Sequence, residues 1–441
     1  MNNPQLNNIS MKKIFNAWWP LATSWLFMAL ELPALSATAA RLAEPKINLA
    51  AYGGIVFPIS LIIESPIIML LAASTVLSKD WNSYRRIYRF MMITSGVLTI
   101  IHAAIVFTPL YYFVVEKLIG APGQIIEPAR TGLMIMLPWT WAIAYRRFNQ
   151  GVLIRFGHSK SIGIGGIIRL TADGMFLALG YLKRDIPGII IITSAVIAGV
   201  ISEAIYVGIR VRPVLKDELK LSPQIVPTLS WREFANFYIP LAITSFMNLS
   251  IQPLVSSTLS RMPKALDSLA IWPVLFGLLF ILRSGGIAFN EVVVSLLNTP
   301  KSASYLSRFA KILTITTTGI IVLVAATSLS RVWFEKVSAL SPSLSSLAQT
   351  ALWLGIFIPG ANTLQSWYQG AILNSKKTRG VPEAVLLFLM ITIIVFFTGI
   401  LSGKIPGLYI GVIGYTLGMI GQTWWLWYRS RETLKKTYNQ I

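Results

Sequence analysis

The sequence predicts an all-α polytopic membrane protein of about 12 transmembrane helices, arranged as two parallel six-helix repeats around a central cleft. Three observations predict it: a charge-poor composition, about twelve apolar runs of spanning length, and matched residues 220 positions apart. Of 441 residues, 54% are hydrophobic and 12% charged, about half the charge of a soluble domain. That excludes a soluble enzyme, a disordered chain and a disulfide scaffold. With no Cys and only two His, neither a thiolate centre nor a metal site is expected, and no cofactor is implied.

The apolar runs fall near 14–40, 48–76, 90–114, 131–154, 162–182, 187–209, 233–258, 268–297, 309–330, 345–372, 381–402 and 406–428. Each approaches the roughly 20 residues a helix needs to cross a hydrocarbon core. Pro33, Pro58, Pro66, Pro138, Pro240, Pro253, Pro273 and Pro359 lie within them. Spanning helices tolerate Pro where neighbours or water satisfy the freed carbonyls, so kinked helices around a polar cavity are expected. The first run follows Lys12-Lys13 and ends on Ser36-Ala37-Thr38-Ala39-Ala40, superficially like a signal peptide. It is longer than a typical h-region and carries Glu31 and Pro33.

The repeat decides that the first run is structural. Pro20, Leu21, Ala22, Pro33, Ser36, Thr38 and Arg41 recur as Pro240, Leu241, Ala242, Pro253, Ser256, Thr258 and Arg261. The register continues with Leu49-Ala50 opposite Leu269-Ala270 and Tyr52 opposite Trp272. Six spans per half is an even number, so both halves start on the same side and the repeat is parallel. Residues 1–210 form the first bundle, the charged, Pro-containing stretch 211–230 a cytoplasmic linker, and 231–441 the second bundle with its basic tail.

Charge placement then orients the chain. On one set of alternate loops and both termini lie 25 Lys and Arg, among them Arg146 and Arg147, against 11 on the other set. By the positive-inside rule both termini are cytoplasmic, in a multi-pass plasma (inner) membrane protein. The net charge of +21 is therefore mostly topology, helped by anionic lipid, and nucleic acid is not an expected partner. The partners are the lipid bilayer and a small-molecule substrate, with a monomeric chain. The Gly-rich charged signature of major facilitators is missing from Ser78 to Arg86, and there is no GxxxxGK[ST] phosphate loop. Energy, where it is needed, is expected from an ion or substrate gradient, with H⁺ or Na⁺ as the candidate coupling ion.

Trp19-Pro20-Leu21, Leu49-Ala50-Ala51-Tyr52-Gly53, Pro240-Leu241, Pro253-Leu254-Val255, Ser260-Arg261, Glu291 and Gly370 followed by Lys376-Lys377-Thr378 carry a family resemblance. The chain resembles the multidrug/oligosaccharidyl-lipid/polysaccharide exporter superfamily, which includes the MATE proteins, and within it is most similar to the progressive ankylosis protein family. The resemblance implies a twelve-helix, MATE-like exporter fold and efflux of small polyvalent anions such as pyrophosphate, nucleotide or citrate. Glu31 does not coincide with the family's acidic positions, so no proton or substrate site is carried over from it.

Charges inside spans are the candidate pathway residues, because a charge in the bilayer is costly and faces the bundle interior. They are Glu31, Glu64, Arg169, Asp173, Arg283 and Glu291, with Glu203 nearer a span end. Glu64 and Arg283 stand within one residue of equivalence in the repeat and are expected to face one another as a gate or as proton and anion sites. The alternative is a permanent structural salt bridge. Arg169 and Asp173, four apart on one helix, suit a local ion pair. Glu31, beside Pro33, is read either as a proton or sodium site or as a helix–helix hydrogen bond, and Glu203 as entrance electrostatics or a tether to basic loops. His102 is expected to be a satisfied interior histidine. Trp18-Trp19, Trp139, Trp141 and Trp424-Trp425-Trp427-Tyr428 read as interfacial anchors, and Gly163-Ile164-Gly165-Gly166 as close helix packing. Three functions are compared: an exporter of small polyvalent anions; a MATE-type cation antiporter or lipid-linked polysaccharide flippase; and a membrane-embedded enzyme. The enzyme needs a catalytic base, and only His102 lies in a span, so the chain is read as a non-enzyme.

Overall fold

The computed structural model describes residues 9–297, 299–375 and 379–438; Lys376, Lys377 and Thr378 lie outside the described residues. Every regular element among them is helical. The first half comprises α1 (Met11–Ala39), α2 (Pro45–Ala51), α3 (Phe57–Glu64), α4 (Leu70–Leu77), α5 (Trp81–Phe107), α6 (Leu110–Tyr112), α7 (Gly123–Ile135), α8 (Trp139–Arg155), α9 (Lys160–Lys183) and α10 (Gly188–Val214). The second comprises α11 (Trp231–Leu249), α12 (Ile251–Ser260), α13 (Ala265–Leu296), α14 (Pro300–Ala326), α15 (Leu329–Arg331), α16 (Pro342–Leu354), α17 (Ile358–Asn374), α18 (Gly380–Ser402) and α19 (Gly407–Tyr438). Stretches of π-helix join α2 to α3, extend α6 and α15, and continue α10.

Ten of these helices or helix pairs are long and apolar enough to cross a membrane. The two remaining predicted runs correspond to α7 with α8, interrupted at residues 136–138, and to α19. The outer helices carry their apolar side chains outward: Ile100 of α5 is 68% exposed and Ile394 of α18 60%. Such surface is stable only against hydrocarbon. The chain is an integral membrane protein with the predicted all-helical fold.

The repeat is visible in local geometry. Asp80 and Thr299 each cap a 27-residue helix with a reciprocal capping box, using Ser83 and Ser302. At the far ends, Thr108 donates to the Ala104 carbonyl (2.7 Å) and accepts from the Leu110 amide (3.2 Å). Thr327 does the same with Leu323 (2.7 Å) and Leu329 (3.4 Å). Left-handed residues precede α2 and α13 at Glu44 and Lys264, and follow α9 and α18 at Arg184 and Gly403.

Proline behaves in two ways. The breaks at 65–69 and 136–138 contain Pro66 and Pro138, and the break at 355–357 is followed by Pro359 in the first turn of α17, whereas α1, α11 and α13 run helically through Pro33, Pro240 and Pro273. At two of these breaks a hydroxyl from another helix satisfies a carbonyl: Tyr238 donates to Pro66, and Thr416 to Leu354 (3.0 Å). This is the compensation a break in lipid requires.

The residues form two compact units. One contains Met1–Pro33, Met262–Lys264 and Ile271–Ile441; the other contains Ala34–Arg261 and Ala265–Ala270. The core of the first is built on Ile14, Phe289, Val293, Leu306, Phe309 and Trp367. That of the second is built on Ile67, Ile87, Met91, Phe148, Val207 and Phe234.

Candidate functional site

In the unit containing residues 34–261, four helices bring their charges to one buried place. Glu64, the last residue of α3, is 3% exposed. From α8 come Arg146, Arg147 and Gln150, from α9 Arg169 and Asp173, and from α10 Glu203. Arg146 donates Nη1 to Glu203 Oε2, and Gln150 donates Nε2 to Glu203 Oε1 at 2.9 Å. Arg169 stands 4.0 Å from both Asp173 and Glu203. Arg147, Arg146 and Arg169 are the electrostatic neighbours of Glu64.

Three guanidiniums thus face three carboxylates, and the cluster is formally neutral. Neutrality is what permits it, since an unbalanced ion in a low-dielectric interior costs several kcal/mol. Trp139 walls it on one side, with the Arg169 guanidinium 6.0 Å from its ring. The indole lies beside the Glu64 carboxyl, yet neither Trp139 Nε1 nor Glu64 Oε2 completes a well-aligned hydrogen bond. Two glycines make room for the carboxylates. A Cβ at Gly199 would overlap Asp173 Oδ1, and one at Gly165 would press on Glu203 Cγ at 3.2 Å.

Sequence reasoning missed part of this cluster. Arg146 and Arg147, assigned to a basic loop, lie inside α8, and Arg146 is 5% exposed; removing them leaves 23 basic residues on that side against 11. Glu203, assigned to entrance electrostatics or to tethering basic loops, pairs with Arg146 of that basic segment and is the hub of the network. Trp139, assigned as an interfacial anchor, is buried. The readable signal was Arg146-Arg147 followed by Gln150, polar residues one helical turn apart in an otherwise apolar run. The four-residue Arg169–Asp173 pair is present, though shared with Glu203. Of the glycines at 163–166, only Gly165 packs closely; a Cβ at Gly163 or Gly166 would meet nothing.

The other unit holds Glu31, Arg283 and Glu291. Arg283, mid-way along α13, donates Nη1 to the Tyr415 hydroxyl at 3.0 Å and stands 5.9 Å from that ring. Tyr415 is fixed edge-on by Phe276 and Phe388, and Phe276 stacks on Trp272. Arg283 Nε is buried and makes no hydrogen bond, and among the described residues no carboxylate lies within ion-pair distance of it. Glu31 is half-buried in α1, and Glu291 lies on an exposed side of α13 near Trp25. His102 is fully buried in α5. Trp18 donates to the Gly285 carbonyl at 2.7 Å, so it is a packing residue, while Trp19 and Trp424 are exposed. A cavity of about 560 Å³ is lined by Thr314, Phe357, Leu364, Tyr368, Trp424 and Trp427.

No protein-family model and no curated protein sequence matches the chain. Solved structures do match. An inward-facing multidrug resistance MATE family transporter of the MOP superfamily shares the fold with TM-score 0.70, at 13% identity over 96% of this chain and 99% of its own. The MATE multidrug transporter DinF-BH, solved with a ligand, gives 0.66 at 16% identity, over 98% and 100%. An outward-facing multidrug resistance MATE transporter gives 0.61 at 15% identity, over 99% of each chain. The fold of this chain is the MATE fold.

Proposed function

We propose that the chain is a secondary-active exporter working by alternating access, and that its substrate is a small polyvalent anion. The single observation carrying the substrate class is the contrast between the two buried charge sites. In one unit three arginines are matched by three carboxylates. In the other, Arg283 is paired with the hydroxyl and ring of Tyr415, and no carboxylate among the described residues lies within ion-pair distance of it. A mid-span cation without a counter-ion among the described residues favours an anion arriving from outside the protein. Arg169, engaged by Asp173 and Glu203, is assigned no substrate role.

Glu64 is the proposed coupling carboxyl. A proton on it leaves three arginines against two carboxylates, and that imbalance drives a rearrangement of α3 and α8. The six-helix bundles 1–210 and 231–441, joined by 211–230, are the proposed moving parts, with both termini cytoplasmic in the plasma membrane and the chain monomeric. The existence of MATE structures in inward- and outward-facing forms supports alternating access, and the chain lacks a nucleotide-binding loop of its own.

A second reading rests on the aromatic cavity around Trp424 and Trp427, which suits an amphiphilic cation. The deciding experiment is transport by the full chain in proteoliposomes. Citrate, pyrophosphate and a lipophilic cation are compared under imposed proton and sodium gradients. Gradient-driven movement of citrate or pyrophosphate is expected; movement of the cation alone would replace the anion reading with the second one.

A further inference from the structure

Independently of what is transported, we infer that the start of α5, together with the end of the linker, forms a binding site for a phosphate-bearing anion. A cavity of about 220 Å³ is lined by Asn82, Arg85, Arg86, Arg89, Thr228 and Trp231. All six belong to the unit containing residues 34–261. Arg85 and Arg89 are one helical turn apart and exposed, and Arg86 is half-buried.

Arg86 is held by aromatic packing and not by a carboxylate. Arg86 stands 5.7 Å from the Trp231 ring. Among the described residues none of the three guanidiniums has a carboxylate within ion-pair distance. The two nearby acids are committed elsewhere. Asp80 accepts from Ser83 and from the Ile225 amide, and Glu233, an electrostatic neighbour of Arg86, accepts from the Ser230 amide and hydroxyl at 2.8 and 2.9 Å. The result is a concave, doubly bounded site with three fork-shaped donors and the neutral Asn82 and Thr228 beside them. Guanidiniums bind phosphate oxygens through paired, charge-assisted hydrogen bonds, so this donor set suits a phosphate group better than a carboxylate or halide.

The walls come from two segments that are far apart in sequence. Arg85, Arg86 and Arg89 belong to α5, whereas Thr228 and Trp231 end the linker and begin α11. The linker is also fastened to α5 by Asp80–Ile225 and by Lys220, 4.9 Å from the Trp81 ring. An anion bound here clamps the linker to α5, and its release frees that clamp. The phosphate can come from an anionic lipid headgroup, since the site stands at the end of a spanning helix, or from a soluble phosphate.

Thermal-shift titrations of the purified full chain test this, with dioleoylphosphatidic acid in phosphatidylcholine micelles as one arm and sodium phosphate at constant ionic strength as the other. The triple variant Arg85→Gln, Arg86→Gln, Arg89→Gln is expected to weaken saturable stabilisation at least about tenfold. The control, Lys301→Gln, Arg308→Gln, Lys311→Gln on α14, removes the same charge and is expected to leave it unchanged. Thr228→Glu, a rim substitution at an exposed position, should weaken binding without touching the arginines. Stabilisation by phosphatidic acid alone identifies a lipid headgroup as the ligand, and stabilisation by phosphate identifies a soluble one. No saturable effect of either on the wild type, or equal effects on the triple variant and its control, overturns the proposal.

Discussion

Glu203 accepts from both Arg146 and Gln150 while standing 4.0 Å from Arg169, so a change there strands several buried donors at once. Glu203→Gln or Arg146→Gln should each cost about 3–5 kcal/mol, because either leaves an unmatched buried charge. The double variant should recover part of that loss, as read from unfolding midpoints in detergent. Equal losses in single and double variants would mean the pair is not coupled. A second residue-scale prediction concerns Asp80, outside the spans. Burial raises its carboxyl, but donations from the Ser83 hydroxyl and amide and the Ile225 amide outweigh that and hold it below the ordinary carboxylate value. With the folded value depressed, its contribution is complete above about pH 4 and is lost as pH falls through the folded value. Proteolytic cleavage near Ile225 should therefore rise in the wild type only at acid pH, and in Asp80→Asn at every pH. Arg169 and Asp173 were legible in sequence because four-residue spacing fixes a shared helix face. Arg146 and Arg147 were not, since a basic pair near a span end looks like a loop until the helix is seen to continue.

At the scale of elements, the close approaches of α9 to α10 and of α18 to α19 repeat one device. A Cβ at Gly180 would stand 2.3 Å from Ile191 Cγ2, and one at Gly399 2.4 Å from Ile410 Cγ2. Gly180→Ala and Gly399→Ala should each destabilise by about 1–3 kcal/mol. Pairing Gly180→Ala with Ile191→Val should return part of the loss, which unfolding midpoints of the single and paired variants will show. Helix positions and most ends were readable, because a run of about 20 apolar residues in lipid has few alternatives to a helix. Which prolines break a helix was not readable. Pro66, Pro138 and Pro359 sit at or beside breaks while Pro33, Pro240 and Pro273 do not. At two of the breaks a hydroxyl from a distant helix, Tyr238 or Thr416, reaches a carbonyl, a contact that spacing along the chain does not reveal.

At the scale of the molecule, a net charge of +21 contributes little to the site. Most basic residues sit in loops or at helix ends, and three buried arginines are cancelled by three carboxylates. The repeat was legible because Pro and Arg recur at a constant spacing, and it reappears in matched caps at Asp80 and Thr299. The neutrality of the Glu64 cluster was hidden, since it depends on α8 meeting α9 and α10 in space. If Glu64 carries the coupling proton, Glu64→Gln should abolish gradient-driven transport while leaving gradient-free exchange measurable in proteoliposomes; unchanged driven transport would remove it from the mechanism. The most direct measurement of the central claim is saturable transport of citrate and pyrophosphate by Arg283→Gln and Arg283→Lys against the wild type, with unfolding midpoints as control. Arg283→Gln is expected to raise the KM for the anion about tenfold or more at near-normal stability, with Arg283→Lys between the two. Anion transport with an unaltered KM in Arg283→Gln would contradict it.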